Sequence, residues 1–268
     1  MAHRSAETEG VPEQARPAIP AAKNRLGDAA TYWLLVRPAV WNTFDRVWLQ
    51  VCGPLPCPAD GPLIVYLNHP SWWDGYMAAV INREVLRQQF AGYVMMEEHQ
   101  LRMYRFMTWS GAFSVNRYDR HEAARSVAYI SQLLRERRDR VFYIFPQGEL
   151  TPNDRRPLVT YAGVARVAQQ VGRATLCPVA LRYEFRGEQR PEAFIRFGPC
   201  HQVVSPIDVQ ECTTEVNQRL TASVDALRDA VIADDLRSFR VLLHGRSGID
   251  RLFEPLMQLW AGHGRERK

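Results

Sequence analysis

Along most of this chain, short runs of consecutive apolar residues alternate with longer stretches in which apolar residues recur every three or four positions. The first pattern fits strands buried on both faces, and the second fits helices with one buried stripe. Strands are predicted for residues 63–67 (Leu-Ile-Val-Tyr-Leu), 90–96, 111–117, 141–145, 174–181 and 193–197. Helices are predicted for residues 72–89, 101–109, 121–138, 158–171, 214–235 and 249–260. In the stretch 214–235 the stripe is explicit: Val216, Leu220, Val224, Leu227 and Val231. Strands that alternate with helices predict an α/β fold, a largely parallel mixed sheet flanked by helices.

An N-terminal amphipathic helical segment precedes the first of these strands. From Asp28 to Val51 the apolar positions Trp33, Val36, Val40, Phe44, Val47 and Val51 keep a helical spacing, with a break or kink expected at Pro38. Trp33, Trp41 and Trp48, with arginines between them, suit a helix lying among lipid headgroups. They equally suit an amphipathic helix packed on the core, and one helix can do both. Residues 1–25 are rich in Ala, Pro, Glu and Arg without periodicity and are expected to form a disordered arm. The predicted organisation is thus an arm (1–25), an amphipathic interface region (26–52), an α/β domain (53–262) and a basic tail (263–268).

Composition narrows the picture. A chain of 268 residues with 46% hydrophobic content supports one full-sized core. The formal charge is +5, carried almost wholly by arginine; the lysines are Lys23 and Lys268. That balance suits an anionic substrate or an anionic membrane surface. The arginines are scattered rather than set in a nucleic-acid-binding module, so no nucleic-acid partner is expected. Cys52, Cys57, Cys177, Cys200 and Cys212 form no CxxC pair and are odd in number, so neither a disulfide framework nor a zinc site is expected. No secretory leader and no apolar run of about 20 residues is visible. The expected location is therefore cytoplasmic, peripheral on the inner face of the cell membrane.

The chemistry concentrates in Asn68-His69-Pro70-Ser71-Trp72-Trp73-Asp74-Gly75. His69 stands where a strand ends and Asp74 in the first turn of the next helix. At such a turn the backbone doubles back, so a spacing of five lets the carboxylate accept a hydrogen bond from one imidazole nitrogen. The tautomer is then fixed and the other nitrogen is left as a base. Ser71 and Asp74 also have the spacing of a capping box, in which Asp74 would serve only the helix end. Glu97, Glu98 and His99 lack metal-ligand spacing, and no metal is expected. Arg117 and the loop after Phe145, Pro146-Gln147-Gly148-Glu149, each follow a predicted strand. In a parallel sheet these can gather on the edge at the strands' carboxyl ends, where sites form.

Four segments in order make the chain resemble the glycerolipid acyltransferases, the group containing bacterial lysophosphatidic acid acyltransferases. They are Asn68-His69 with Asp74; Gly111, Phe113 and Arg117; Phe145-Pro146-Gln147-Gly148-Glu149-Leu150; and Cys177-Pro178-Val179-Ala180. Together they cover residues 60–185. The resemblance implies an acyl-CoA or acyl carrier protein (acyl-ACP) thioester as co-substrate, no cofactor, and a lipid acceptor. It also implies His69 as general base with Asp74 orienting it, and acceptor binding by Arg117 and the loop Gln147, Gly148 and Glu149. Asn68 or nearby N–H groups could stabilise the oxyanion.

The third segment departs from the family's pattern, with Gln147 in place of glutamate and Leu150 in place of arginine. A lysophospholipid acceptor, or a lipid alcohol without phosphate such as a glycolipid or glycosylated terpenoid, are both compatible with that change. A hydrolase using the same His–Asp pair and an inactive lipid-binding protein are the other candidates. No Gly-x-Ser-x-Gly elbow is present to support a serine lipase.

Overall fold

The computed structural model describes residues 12–246. Its centre is one mixed sheet of β1 (Arg46–Val51), β2 (Leu63–Leu67), β3 (Ala91–Glu97), β4 (Ala112–Val115), β5 (Arg140–Ile144), β6 (Arg173–Glu184), β7 (Glu192–Phe197), β8 (His201–Val204) and β9 (Arg240–His244). The order is β4-β3-β5-β2-β6-β7-β1-β9, with β8 paired to the start of β6. From β4 to β6 every neighbouring pair is parallel, whereas β6–β7, β6–β8 and β1–β9 are antiparallel.

Side-chain alternation along β2 splits the core into two layers. Ile64 and Tyr66 face α5 (Arg120–Glu136), α6 (Gly163–Val171) and α7 (Val209–Ile232), whose stripe of Val216, Leu220, Val224, Leu227 and Val231 is buried against them. Leu63, Val65 and Leu67 face the N-terminal helix and α3 (Asp74–Val80). All five β2 residues have no solvent exposure, which explains the unbroken apolar run.

The N-terminal region differs from the expected helix over 28–51. The helix consists of α1 (Arg25–Ala30), a π-helical stretch Thr31–Val36 and α2 (Arg37–Thr43), after which the chain turns extended. The π-turn precedes Pro38, with the Arg37 N–H donating to the Tyr32 carbonyl five residues back. This widening takes up the missing donor and the bulk of the ring that would otherwise break the helix. Val47, Trp48 and Val51 lie in β1, between β7 and β9. There, Val47 and Leu49 are buried, and Trp48 stacks on Phe194 while its indole N–H donates to Glu192 (2.8 Å).

Three further expectations are corrected. Within the stretch expected to be a disordered arm, residues 17–24 are pinned beside β4. Ile19 and Ser114 exchange two hydrogen bonds of 2.8 Å, Ala22 donates to the Thr108 carbonyl, and Ile19 and Ala21 are buried. Cys177 and Cys200 are disulfide-bonded, where no disulfide framework was expected. The helix expected over 158–171 forms only over Gly163–Val171; residues 158–161 lead into it without regular structure, after bends at Arg156 and Pro157. The predicted helix over 249–260 and the basic tail lie outside the described residues. No helix among the described residues is long and apolar enough to cross a membrane.

Candidate active site

β4, β3, β5 and β2 run the same way, so the chain segments that follow them emerge on one edge. His69 follows β2, Arg117 follows β4, and Phe145 to Leu150 follow β5. β6 is parallel to β2 but continues past it: Leu67 pairs with Val179, and the strand runs on to Glu184. That overhang places Leu181 beside Asn68 and Tyr183 beside Asp74.

His69 Nδ1 lies 2.7 Å from Asp74 Oδ2, and its side chain is about one-quarter exposed. Among the described residues no group engages Nε2. The same Oδ2 accepts the Ser71 N–H at 2.9 Å. One carboxylate oxygen thus meets both the imidazole and the Ser71 N–H, while α3 begins after Trp73 without a side-chain cap. The other oxygen, Oδ1, accepts the Tyr183 hydroxyl at 2.7 Å. Asp74 has no solvent exposure. Burial pushes its carboxyl above the usual range, and the bonds from His69, Tyr183 and Ser71 pull it part of the way back. Burial, with the adjacent Asp74 charge, holds the Tyr183 phenol well above its ordinary value. Tyr183 thus stays protonated and donates.

The main chain of His69 is held from the β5 side. Its N–H donates to Gln147 Oε1 (2.8 Å), and its carbonyl accepts from the Thr151 N–H (2.8 Å). Phe145 stacks on the imidazole with centroids 4.4 Å apart. Gly148 takes a left-handed φ of 71°, which turns its carbonyl to accept from Arg117 Nη1. Arg117 Nη2 donates to the Tyr118 hydroxyl (2.7 Å), and exposed Glu149 lies 4.0 Å from the guanidinium. Among the described residues, no group of three or more His, Cys, Asp or Glu side chains is placed to hold a metal ion.

The profile of the acyltransferase family matches residues 49–182, half of the chain. The chain belongs to the acyltransferase family. No curated protein matches. In structure the acyltransferase is similar to the 1-acyl-sn-glycerophosphate (LPA) acyltransferase PlsC from Thermotoga maritima. The TM-score is 0.50 at 17% identity, over 75% of this chain and 76% of that one, a likeness of fold.

Two residues of this acyltransferase sit differently from expectation. Asn68 is buried with both ends of its amide on one residue: Nδ2 donates to the Leu181 carbonyl (2.9 Å) and Oδ1 accepts the Leu181 N–H (2.7 Å). It clamps the end of β2 to β6 rather than facing a substrate. Gln147 is buried too and serves the His69 backbone. Of the arginines near the third segment, Arg156 is tied to Asp225 on α7 (2.6 Å) and Arg182 to Asp154 (2.7 Å). Tyr183 and Phe145 were not singled out as site residues in the sequence. Tyr183 falls in a β-run 109 residues from Asp74, and no local pattern links the two.

Proposed function

We propose that this acyltransferase moves a fatty acyl group from a thioester, on coenzyme A or acyl carrier protein, to a hydroxyl of a lysophospholipid or related glycerol-phosphate lipid at a membrane surface. The observation that carries the reading is the His69–Asp74 pair at 2.7 Å, its second ring nitrogen without a partner among the described residues, on the edge where the sheet's parallel strands end. His69 Nε2 takes the proton of the acceptor hydroxyl as its oxygen bonds to the thioester carbonyl carbon. The tetrahedral oxyanion collapses, the C–S bond breaks, and the imidazolium returns the proton to the thiolate. An activated thioester needs no enzyme nucleophile, which suits a site whose central pair is a base and its orienting acid.

Arg117 is the basic residue beside the dyad loops, and a lipid phosphate is the ligand class its charge suits. A specific feature favours the second reading, a lipid alcohol without phosphate. Leu150 stands exposed where the family has arginine, and Arg117 is already engaged by Gly148 and Tyr118.

The membrane element of the proposal rests on an exposed apolar face. Leu26, Trp33 and Leu34 project from the N-terminal helix. Beside it, the segment from α4 (Glu98–Met103) through Arg105–Ser110 exposes Met103, Phe106 and Trp109. The two elements touch closely: a Cβ on Gly27 would lie 2.5 Å from that of Trp109. The same two elements carry Arg25, Arg37, Arg102 and Arg105, whose charge suits anionic headgroups of the cytoplasmic leaflet. A labelled acyl thioester, incubated with and without lipid acceptors, tests the function. Ester product that falls at least ~10²-fold in a folded His69→Ala variant is expected. Free fatty acid alone would make the protein a hydrolase, and no turnover a lipid binder; undiminished ester synthesis by His69→Ala would end the mechanism.

A further inference from the structure

Tyr183 lies one residue beyond the span matched by the family profile, and the proton transfer set out above does not use it. Its hydroxyl is the only partner of Asp74 Oδ1 among the described residues. The ring has its own support, stacking on Phe44 with centroids 5.7 Å apart, while Phe44 meets Trp73 edge-on at 5.2 Å. The neighbours Arg182 and Glu184 alternate to the opposite face of β6 and pair with each other there. The ionisable groups that touch Asp74 are therefore His69 and Tyr183.

We propose that Tyr183 is a positioning residue for acyl transfer: its phenol fixes the Asp74 carboxylate so that Oδ2 faces His69 Nδ1, and helps keep that buried carboxylate ionised. This rests on the reading of His69 and Asp74 as the base and its orienting acid. A fully buried carboxylate is stable only when its oxygens are satisfied. Oδ2 has two donors, the Ser71 N–H and the imidazole, whereas Oδ1 has the phenol alone. Without that phenol, Oδ1 is an orphaned acceptor in an apolar layer. The carboxylate can then rotate, or bind a proton in place of the lost donor. Either event spoils the orientation and tautomer of His69.

Tyr183→Phe removes one oxygen and keeps the ring stack. The expected loss in kcat is on the order of tenfold, the scale of one hydrogen bond to a charged group, with donor and acceptor KM values unchanged. The acid limb of the kcat–pH profile should move to higher pH. Losing a hydrogen-bond donor makes Asp74 easier to protonate, and a protonated Asp74 no longer orients His69. In a His69→Ala background the same substitution should cost nothing further, because Tyr183 acts only through His69. Wild-type kcat with an unmoved limb in Tyr183→Phe would overturn the inference, as would an equal loss in the His69→Ala background. Undiminished ester synthesis by His69→Ala alone would instead strike at the catalytic reading beneath it.

Discussion

Replacing Asp74 by Asn separates the two jobs its carboxylate holds. The side chain keeps its size, and with its N–H toward His69 its oxygen can still accept a hydrogen bond from Tyr183. What changes is the partner of His69 Nδ1. An amide N–H turned toward Nδ1 forces that nitrogen to accept, so the ring proton moves to Nε2 and the base is lost. A wrong tautomer of this kind costs on the order of 10³–10⁴-fold in kcat.

Stability should move far less, and the sign follows from burial. The Asp74 carboxyl is raised above its usual range because it is desolvated. The folded chain therefore holds that proton more tightly than the unfolded chain does. Its favourable contribution is present below the ordinary carboxylate range and is lost as pH rises through the raised value, so at neutral pH the ionised group is a net cost. The neutral amide of Asp74→Asn escapes that cost but weakens charge-assisted hydrogen bonds worth about 1.5–3 kcal/mol each. The two effects oppose, and a net change within about 2 kcal/mol is expected, small against the ~4–5 kcal/mol lost in activation. The measurements are kcat at saturating substrates and thermal unfolding as pH is raised from below the ordinary carboxylate range to neutral. Relative to the variant, the wild-type protein should lose stability over that rise. Activity that merely follows the folded fraction, or survives in the folded variant, would refute the orienting role and leave Asp74 a structural role alone.

Two further perturbations address the frame around the dyad. Leu26→Glu combined with Leu34→Glu places charge on two of the most exposed apolar positions and should release the protein from anionic vesicles in flotation, with turnover of short-chain soluble substrates unchanged; equal flotation would remove this helix from the membrane contact. Gly111 has φ 104°, and a Cβ there would lie 2.2 Å from the Gly92 carbonyl oxygen, so Gly111→Ala should cost at least ~2 kcal/mol in denaturant unfolding; a neutral effect would mean the β3–β4 crossing yields easily.

The parts of the site that were legible in the sequence lie close together along the chain or end a strand. His69 and Asp74 could be paired because a strand-to-helix turn folds five residues back on themselves. Arg117 and Gln147 could be placed on the same edge because parallel strands share a direction. Tyr183 was illegible because its partner is distant, and an overhanging strand end looks like any strand end. Asn68 suggested an oxyanion donor by adjacency to His69, yet the neighbouring β6 backbone claims its amide. The helix drawn through Val51 failed because Val47, Leu49 and Val51 fit a period of two as well as Val40, Phe44 and Val47 fit a period near three and a half. Which period applied was decided by the gap between β7 and β9, a tertiary fact. Residues 17–24 looked like an arm because two prolines and several alanines carry no periodicity. Their order comes from backbone hydrogen bonds to β4 and to the segment before it, which composition does not encode.

The grip of Gln147 and Thr151 on both main-chain polar groups of His69 has a consequence for how such an enzyme can change its tastes. The loop that would greet the acceptor is also the mount on which His69, the proposed base, is fixed. A substitution at an inward-pointing position of that loop shifts His69 as well, so there selectivity and turnover would be coupled. Departures such as Gln147 and Leu150 then divide into two kinds. Position 147 points inward and is restricted to side chains that present an oxygen to His69, which Gln and Glu both do. Position 150 points outward, past the mount, and is the place where a lineage could exchange one acceptor for another without disturbing the proton transfer.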